Sequence, residues 1–263
     1  MLESMNFTYD GISCTDMGVV MAIDGGGMMN ESLMARRKVI TQSIPYRDKP
    51  IFKRVELEPL SFPICVYLKE WKDRNNLRAI ARWLNQKEPK PLIFESNTDV
   101  IYYAIFDGEI PLNHNGLQDG SFKMQLVCDS PYGYSELRSI DVSVNGTNSI
   151  LLFNDGDEII QPQLRIRKIG DGDISIKNEA NGQELILTDL YDNEVITING
   201  ENKEIISSLE SSNRFILNQH NDVWLDFEPN YDTDTEFTFT GNFECEFYYE
   251  YKYLTQDRPI YFE

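Results

Sequence analysis

Apolar and polar residues alternate with a period of two along much of the chain, an arrangement typical of half-buried β-strands. The first half contains predicted strands at residues 39–44, 62–68, 100–106 and 122–128. In the second half, short runs recur between Asn, Asp and Gly turns at residues 164–166, 174–176, 185–187, 196–198, 215–217, 223–227 and 237–239. The clearest run, residues 242–253, has an almost wholly aromatic face. Regularly spaced short strands predict a β-sandwich for the second half.

One segment has helical periodicity instead. Four apolar residues occur at i, i+3, i+4 and i+7, namely Leu77, Ile80, Ala81 and Leu84. This spacing predicts an amphipathic helix with a single apolar stripe. The stripe follows a start rich in Asp and Asn, beginning at Asp73, and these residue types are favourable N-caps. The first half is therefore predicted to be mainly β with one packed α-helix.

The charge of the chain changes near residue 136. The formal net charge is −19, of which residues 1–135 carry −2 (17 acids, 15 bases) and residues 136–263 carry −17 (26 acids, 9 bases). A turn-rich segment, 129–135, lies at this change. We therefore predict two domains, 1–135 and 136–263, with the terminal segment 256–263 as a candidate to pack back onto the first. Neither half has the positive surface that nucleic-acid binding requires.

The residue types needed for catalysis or metal binding form no recognisable motif. His114 and His220 are the only histidines, and the chain lacks G-x-S-x-G and H-E-x-x-H, so we predict no enzyme and no catalytic residue. The four cysteines lack C-x-x-C spacing and are predicted to be reduced and mostly buried. Acidic clusters at 154–158 and 232–236 match no calcium loop and are interpreted as solvated turns or strand edges. We predict neither a cofactor nor a metal site.

The order and spacing of these patterns resemble the distal tail protein family of siphoviruses. The similar segments cover most of the chain and lie at residues 7–12, 38–48, 62–68, 80–84, 91–94, 129–134, 156–166 and 247–254. The resemblance implies a first domain shaped like a tail-tube protein, a β-sandwich or barrel with one α-helix. It implies a second domain that is a galectin-like or carbohydrate-module-like β-sandwich. No binding residue is implied by it.

The resemblance also implies a function: a structural virion protein at the distal end of a phage tail or tailocin. The first domain would form a hexameric ring through which DNA passes without specific binding. The implied partners are the other copies in the ring, the tail-tube protein, a tail-tip protein and a receptor-binding protein. The expected location is the virion tail tip, after assembly in the bacterial host cytoplasm. The longest apolar run, 100–106, is too short to span a bilayer, so no membrane insertion is expected.

One aromatic residue of the second half is a candidate ligand-binding residue. Trp224 could stack on a sugar ring, although aromatic residues in a sandwich more often pack in a core. The alternative function is a carbohydrate-binding module that attaches directly to host cell-wall glycan, and a glycosidase is a weaker third. Because residues 136–263 are strongly acidic, we expect a basic protein partner for this domain rather than a sugar.

Overall fold

The computed structural model describes residues 6–22, 34–68, 70–116, 119–209, 215–230 and 234–254. Its contacts divide the chain into two compact units, Met1–Tyr134 with Tyr253–Glu263, and Ser135–Lys252. Both units are built of antiparallel strands, and the described residues contain one α-helix. The prediction of a mainly β protein with one helix is confirmed. The terminal segment 256–263 lies outside the described residues.

The first unit is a curled antiparallel sheet whose strands run in the order β2-β1-β7-β8-β10-β6-β3, with β9 beside β10 and β11 beside β8. Alternate side chains of β6, β8 and β10 are buried, so the core lies on one face of this sheet. Two further strands, β4 and β5, pair only with each other. The strands are β1 (Phe7–Tyr9), β2 (Ile12–Ser13), β3 (Val19–Met21), β4 (Arg37–Gln42), β5 (Ile51–Leu57), β6 (Ser61–Leu68), β7 (Lys90–Phe94), β8 (Asn97–Asp107), β9 (Leu112–His114), β10 (Gly120–Cys128) and β11 (Gly133–Tyr134).

Helix α1 (Arg74–Leu84) begins at the predicted cap. The Oδ1 atom of Asp73 accepts hydrogen bonds from the backbone nitrogens of Asn75 at 2.9 Å and Asn76 at 3.3 Å. These bonds satisfy two of the amide groups that a helix leaves without partners at its start. The cap therefore sets the first residue of the helix.

The buried face of α1 differs from the predicted stripe. Ala81 is exposed, whereas Trp83 is buried. The Trp83 ring stacks on Phe7 with ring centroids 5.8 Å apart, and its Nε1 donates to the Tyr9 carbonyl at 2.9 Å. Trp83 has a large apolar area to bury and an Nε1–H group that needs an acceptor. The helix therefore packs on β1 through this side chain.

The second unit is one curled sheet in the order β15-β14-β18-β13-β16-β17, with β12 along the other edge of β18. A short 3-10 helix, Ile216–Gln219, contacts both β15 and β17, the last strands of that order. Ile216 of this helix is buried, so the helix bridges the two end strands of the sheet. The strands are β12 (Arg138–Leu152), β13 (Gln163–Lys168), β14 (Gly172–Asn178), β15 (Glu184–Leu190), β16 (Val195–Asn199), β17 (Glu204–Ser207), β18 (Thr235–Tyr249) and, at the unit boundary, β19 (Lys252–Tyr253).

Three features of the second unit correct the sequence predictions. The runs 215–217 and 223–227 are not strands: the first enters the 3-10 helix, and the second makes one isolated bridge, from Phe227 to Ile160. Strand β12 was not predicted. The strand predicted at 242–253 instead spans Thr235–Tyr249, because it runs through Gly241 and joins the run at 237–239.

Candidate functional site

Strands β4 and β5 form a hairpin that pairs with no other described strand. In its register Val39 faces Val55 and Thr41 faces Phe52, so these side chains share one face. That face is open to solvent: Val39 is 58% exposed and Phe52 is 60% exposed. An isolated two-stranded hairpin is only marginally stable in water. The hairpin would therefore be stabilised if a further surface covered its apolar side chains.

The hairpin is also basic within an acidic protein. Residues 36–58 contain seven Lys or Arg and three Asp or Glu, a net charge of +4 in a chain of −19. Because residues 1–135 sum to −2, the rest of that segment carries −6. The near neutrality of the first 135 residues is thus the sum of a basic hairpin and an acidic remainder. A charge count over shorter windows would have found this in the sequence.

A second exposed feature is the outward face of the sheet in the second unit. Strands β12, β18, β13 and β16 lie side by side there and line an open cavity of about 500 Å³. Its polar lining comes from Asp141, Ser143, Arg165, Arg167, Glu244 and Glu246, and Val195 adds an apolar side chain. We call this the polar cavity. None of these residues was singled out from the sequence, because cross-strand neighbours from four strands are far apart along the chain.

Two ion pairs organise the polar cavity. Arg165 Nη1 lies 3.2 Å from Glu246 Oε1, and Arg167 Nη1 lies 3.2 Å from Glu244 Oε2. The hydroxyl of Tyr248 also donates to Glu246. This hydrogen bond and the neighbouring Arg165 hold the pKa of the Glu246 carboxyl below its usual value, so the carboxylate stays ionised.

Trp224 is not among the residues that line the polar cavity. Its half-buried ring packs edge-to-face on His220, with ring centroids 4.8 Å apart. His220 is only 7% exposed, and its Nε2 lies 3.1 Å from the Val223 carbonyl oxygen. Burial lowers the pKa of His220. Trp224 therefore has a packing partner in the structure, and its role in sugar binding stays a prediction.

The other candidate residues also have packing partners. His114 belongs to the first unit and stacks on Trp71, with centroids 3.7 Å apart. In the cluster at 154–158, Asn154 is 1% exposed and donates to the Phe227 carbonyl at 2.9 Å, so this turn is buried rather than solvated as predicted. Of the other cluster, Asp232 lies outside the described residues.

Metal-binding groups, membrane spans and disulfides can be assessed for the described part of the chain. There, no three His, Cys, Asp or Glu side chains are grouped to hold a metal ion. No helix in those ranges has the length and apolar character needed to cross a membrane. All four cysteines are free, and three of them are buried, as predicted. Burial raises the pKa of Cys128 and that of Cys245 to about 12, which keeps both thiols protonated.

Comparison with known proteins places the chain among phage proteins. Residues 2–130 match the family described as phage tail protein N-terminal domain, and residues 132–249 match the phage tail C-terminal domain. The SPbeta prophage-derived protein YomH of Bacillus subtilis (strain 168) is 34% identical over 211 residues, which are 79% of this chain and 83% of that protein. The chain belongs to this family of phage tail proteins.

The fold of this tail protein is similar to that of a solved structure. The chain is similar to the SPP1 Dit (gp 19.1) protein, a paradigm of the hub adsorption apparatus in phages that infect Gram-positive bacteria. The TM-score is 0.67 at 13% identity, with coverage of 94% of this chain and 98% of that chain. The resemblance to distal tail proteins is thereby confirmed at the level of the fold. The tail protein has a structural role in the phage tail.

Proposed function

We propose that this tail protein is the distal hub subunit of a long phage tail or tailocin, and that six copies close into a ring joining the tail tube to the tail tip. The number six and the neighbours in the tail come from the resemblance to distal tail proteins. The observation that supports self-assembly is the β4–β5 hairpin, which exposes apolar side chains and pairs with no other described strand.

The hairpin suits a head-to-tail contact between copies. A surface that binds a different surface of the next copy generates a ring when the rotation closes. The hairpin carries +4 and the rest of residues 1–135 carries −6, so each copy offers both partners of such a contact. Apolar burial of Val39 and Phe52 would stabilise the contact, and the opposite charges would orient it.

This arrangement also fits the passage of DNA. Excess positive charge on a channel wall would bind phosphates and retain the genome. If the positive hairpin is neutralised by the acidic surface of the neighbouring copy, the wall keeps no such excess. In this proposal DNA passes through the ring and is not bound specifically.

The proposed role needs no catalysis. The two histidines each pack on a tryptophan within their own unit, His114 on Trp71 and His220 on Trp224. A general base must instead reach the group whose proton it removes. We therefore propose a non-enzymatic subunit whose partners are the tail-tube protein, a tail-tip protein and a receptor-binding protein, located at the virion tail tip after assembly in the host cytoplasm.

The test is the size of the assembly formed by the full-length chain. Native mass spectrometry at rising concentration, alone and with the tail-tube protein, should show a hexamer that weakens as salt screens the charged contact. Val39→Asp with Phe52→Asp should abolish it, because two buried carboxylates would face the neighbouring copy.

The matched control is Ile206→Asp, which changes an exposed β-branched residue on β17 of the second unit. This variant should assemble like the wild type. A hexamer that survives the hairpin substitutions, or is lost in the control alone, would contradict a ring built through the hairpin.

A further inference from the structure

Strand β12 lies at an open edge of the sheet in the second unit. It pairs with β18 and with no other described strand. On the far side of β18, the Asn242 carbonyl accepts a hydrogen bond from the nitrogen of Ile169, the residue after β13, at 3.0 Å. The direction of the backbone groups alternates along an antiparallel pair. In the register of β12 with β18, Ser139, Asp141 and Ser143 therefore direct their N–H and C=O groups away from β18.

This edge is regular and accessible. The Ser143 carbonyl accepts a hydrogen bond from Nδ2 of Asn148 at 3.1 Å, as expected for a carbonyl that points away from β18. Ser139, Asp141 and Ser143 are all exposed. Free edges are a template for pairing with another chain, and proteins usually protect them with Lys, Pro or a bulge. Residues 138–145 contain neither Lys nor Pro, and their register with β18 is unbroken. We call these residues the open edge.

The Asp141 carboxylate favours a positive charge on a strand added at the open edge. Asp141 lies directly opposite Glu246 of β18, and like charges in such a pair are destabilising. Glu246 has an ion pair with Arg165 on its other side, whereas the described part of the chain gives Asp141 no ion pair. A Lys or Arg opposite Asp141 would lie about one strand spacing away on the same face. It would give Asp141 the cation that Glu246 already has.

The other face of an added strand would lie beside apolar side chains. Val142 and Val144 of β12 are buried, and Ile140 next to them is half-buried. Neighbouring side chains on one face of a sheet pack on each other, so apolar residues of the added strand would cover Ile140. A second copy of β12 fits less well, because residues 136–263 carry −17 and two such units repel. The open edge therefore suits a strand that alternates basic and apolar residues.

We propose that the open edge binds an extended segment of another protein, which adds to the sheet as an antiparallel strand and carries a Lys or Arg opposite Asp141. Backbone hydrogen bonds to Ser139, Asp141 and Ser143 supply the affinity, and the side chains supply the specificity. Every other strand pair of this sheet is antiparallel. The proposal does not rest on ring formation, since β12 and β18 belong to one unit of one chain.

The experiment titrates the full-length protein with the synthetic peptide Thr-Val-Lys-Val-Lys-Val-Thr by calorimetry, and amide hydrogen exchange locates the site. The peptide should bind, slow the exchange of the Ser139, Asp141 and Ser143 amides, and lose affinity as salt screens its charge.

Two matched peptides separate backbone pairing from charge. One has Glu in place of both lysines, and the other keeps the lysines but carries a methyl group on their backbone nitrogens. Both should bind at least about tenfold more weakly, because the first reverses the charge and the second removes N–H donors that face β12. The methylated peptide keeps the charge of the parent peptide, so any loss in its affinity comes from the backbone.

The protein variants test the same contacts from the other side. Ser143→Pro removes an outward N–H group, a change that edge strands tolerate, and should weaken binding at least about tenfold. Ser143→Ala keeps this group and should bind like the wild type. Asp141→Asn should weaken binding about threefold, as expected for an exposed ion pair. Asn148→Ala should strengthen it, because the Ser143 carbonyl loses a competing donor. The control Glu204→Gln removes an exposed acid of β17 and should change nothing.

Three results would overturn the proposal. One is that the lysine peptide does not bind. Another is that the methylated peptide binds as tightly as its parent, or that Ser143→Pro binds like Ser143→Ala, since charge alone would then explain the contact. The third is a dimer of the full-length protein that Ser143→Pro removes, because a second copy would then occupy the open edge. If Ser143→Pro fails to fold, the methylated peptide decides the question on the wild-type protein.

Discussion

The β4–β5 hairpin and the β12–β18 pair are both antiparallel ribbons, yet their surroundings differ. The hairpin strands have no third partner among the described strands, and most of their side chains are exposed. In the longer ribbon fifteen residue pairs are in register, and β18 also pairs with β13 and β14 on its other edge. Alternate residues of β18 from Thr235 to Tyr249 are buried, apart from the half-buried Gly241, so one of its faces is covered. Alternation of apolar and polar residues therefore does not by itself bury one face of a strand. Burial also requires other parts of the protein to cover that face.

The difference predicts unequal effects from the same substitution. Phe247 of β18 is fully buried and packs on Phe237 and Tyr249, whereas Phe52 of the hairpin is largely exposed. Phe247→Ala should lower the free energy of unfolding by about 3–5 kcal/mol. Phe52→Ala should change that of the isolated subunit by no more than about 0.5 kcal/mol. Denaturant unfolding of both variants would measure this, and comparable losses would show that the hairpin packs within its own subunit.

The sequence predicted those features whose geometry depends only on residues close together along the chain. Asp10 and Gly11 both have positive φ, 51° and 74°, in the two-residue turn between β1 and β2, a conformation that the Asp-Gly pair favours. The Asp73 cap predicted the start of the helix because its hydrogen bonds reach only two and three residues along the chain. Alternation in β18 gave its buried face, since the period of two is a local property.

Non-local contacts account for the errors. Strand β12 has an exposed polar centre at 145–149, so its sequence lacks continuous alternation, and its pairing with β18 alone keeps it extended. Phe215 and Leu217 alternate like a strand but are exposed around a 3-10 helix that bridges β15 and β17. The polar cavity depends on register between four strands, which no single segment encodes.

A second prediction concerns two glycines that face each other in the long ribbon. Gly146 and Gly241 are register partners, with φ values of 90° and 129°. A Cβ atom on Gly241 would lie 2.9 Å from the backbone oxygen of Asp173, whereas one on Gly146 would meet nothing within 4 Å. Both alanine variants should be strained, and Gly241→Ala should cost more, about 2–3 kcal/mol against about 1 kcal/mol. Equal unfolding midpoints would show that crowding at Gly241 is relieved by movement of β14.

The smallest expected effect is in the pH dependence of stability, and it comes from His220 beside the 3-10 helix. His220 lies there, bridged to Leu187 of β15, and its Nδ1 is buried without a hydrogen-bond partner among the described residues. Burial lowers its pKa below the usual 6.5, so the folded state favours the neutral ring. As the pH falls through the unfolded value of 6.5, the unfolded chain binds a proton that the folded chain does not. The stability contributed by neutral His220 is therefore present above that pH and lost below it.

The measurement compares unfolding midpoints at about pH 7.5 and about pH 5.5, a window in which an ordinary histidine changes charge. Wild-type protein should lose more stability on acidification than His220→Gln, whereas His114→Gln, which changes the exposed histidine, should behave like the wild type. Carboxylates contribute to all three proteins, so the difference between them isolates the histidine. If His220→Gln shows the same acid dependence as the wild type, protonation of His220 does not lower the stability of the folded protein, which would contradict the prediction.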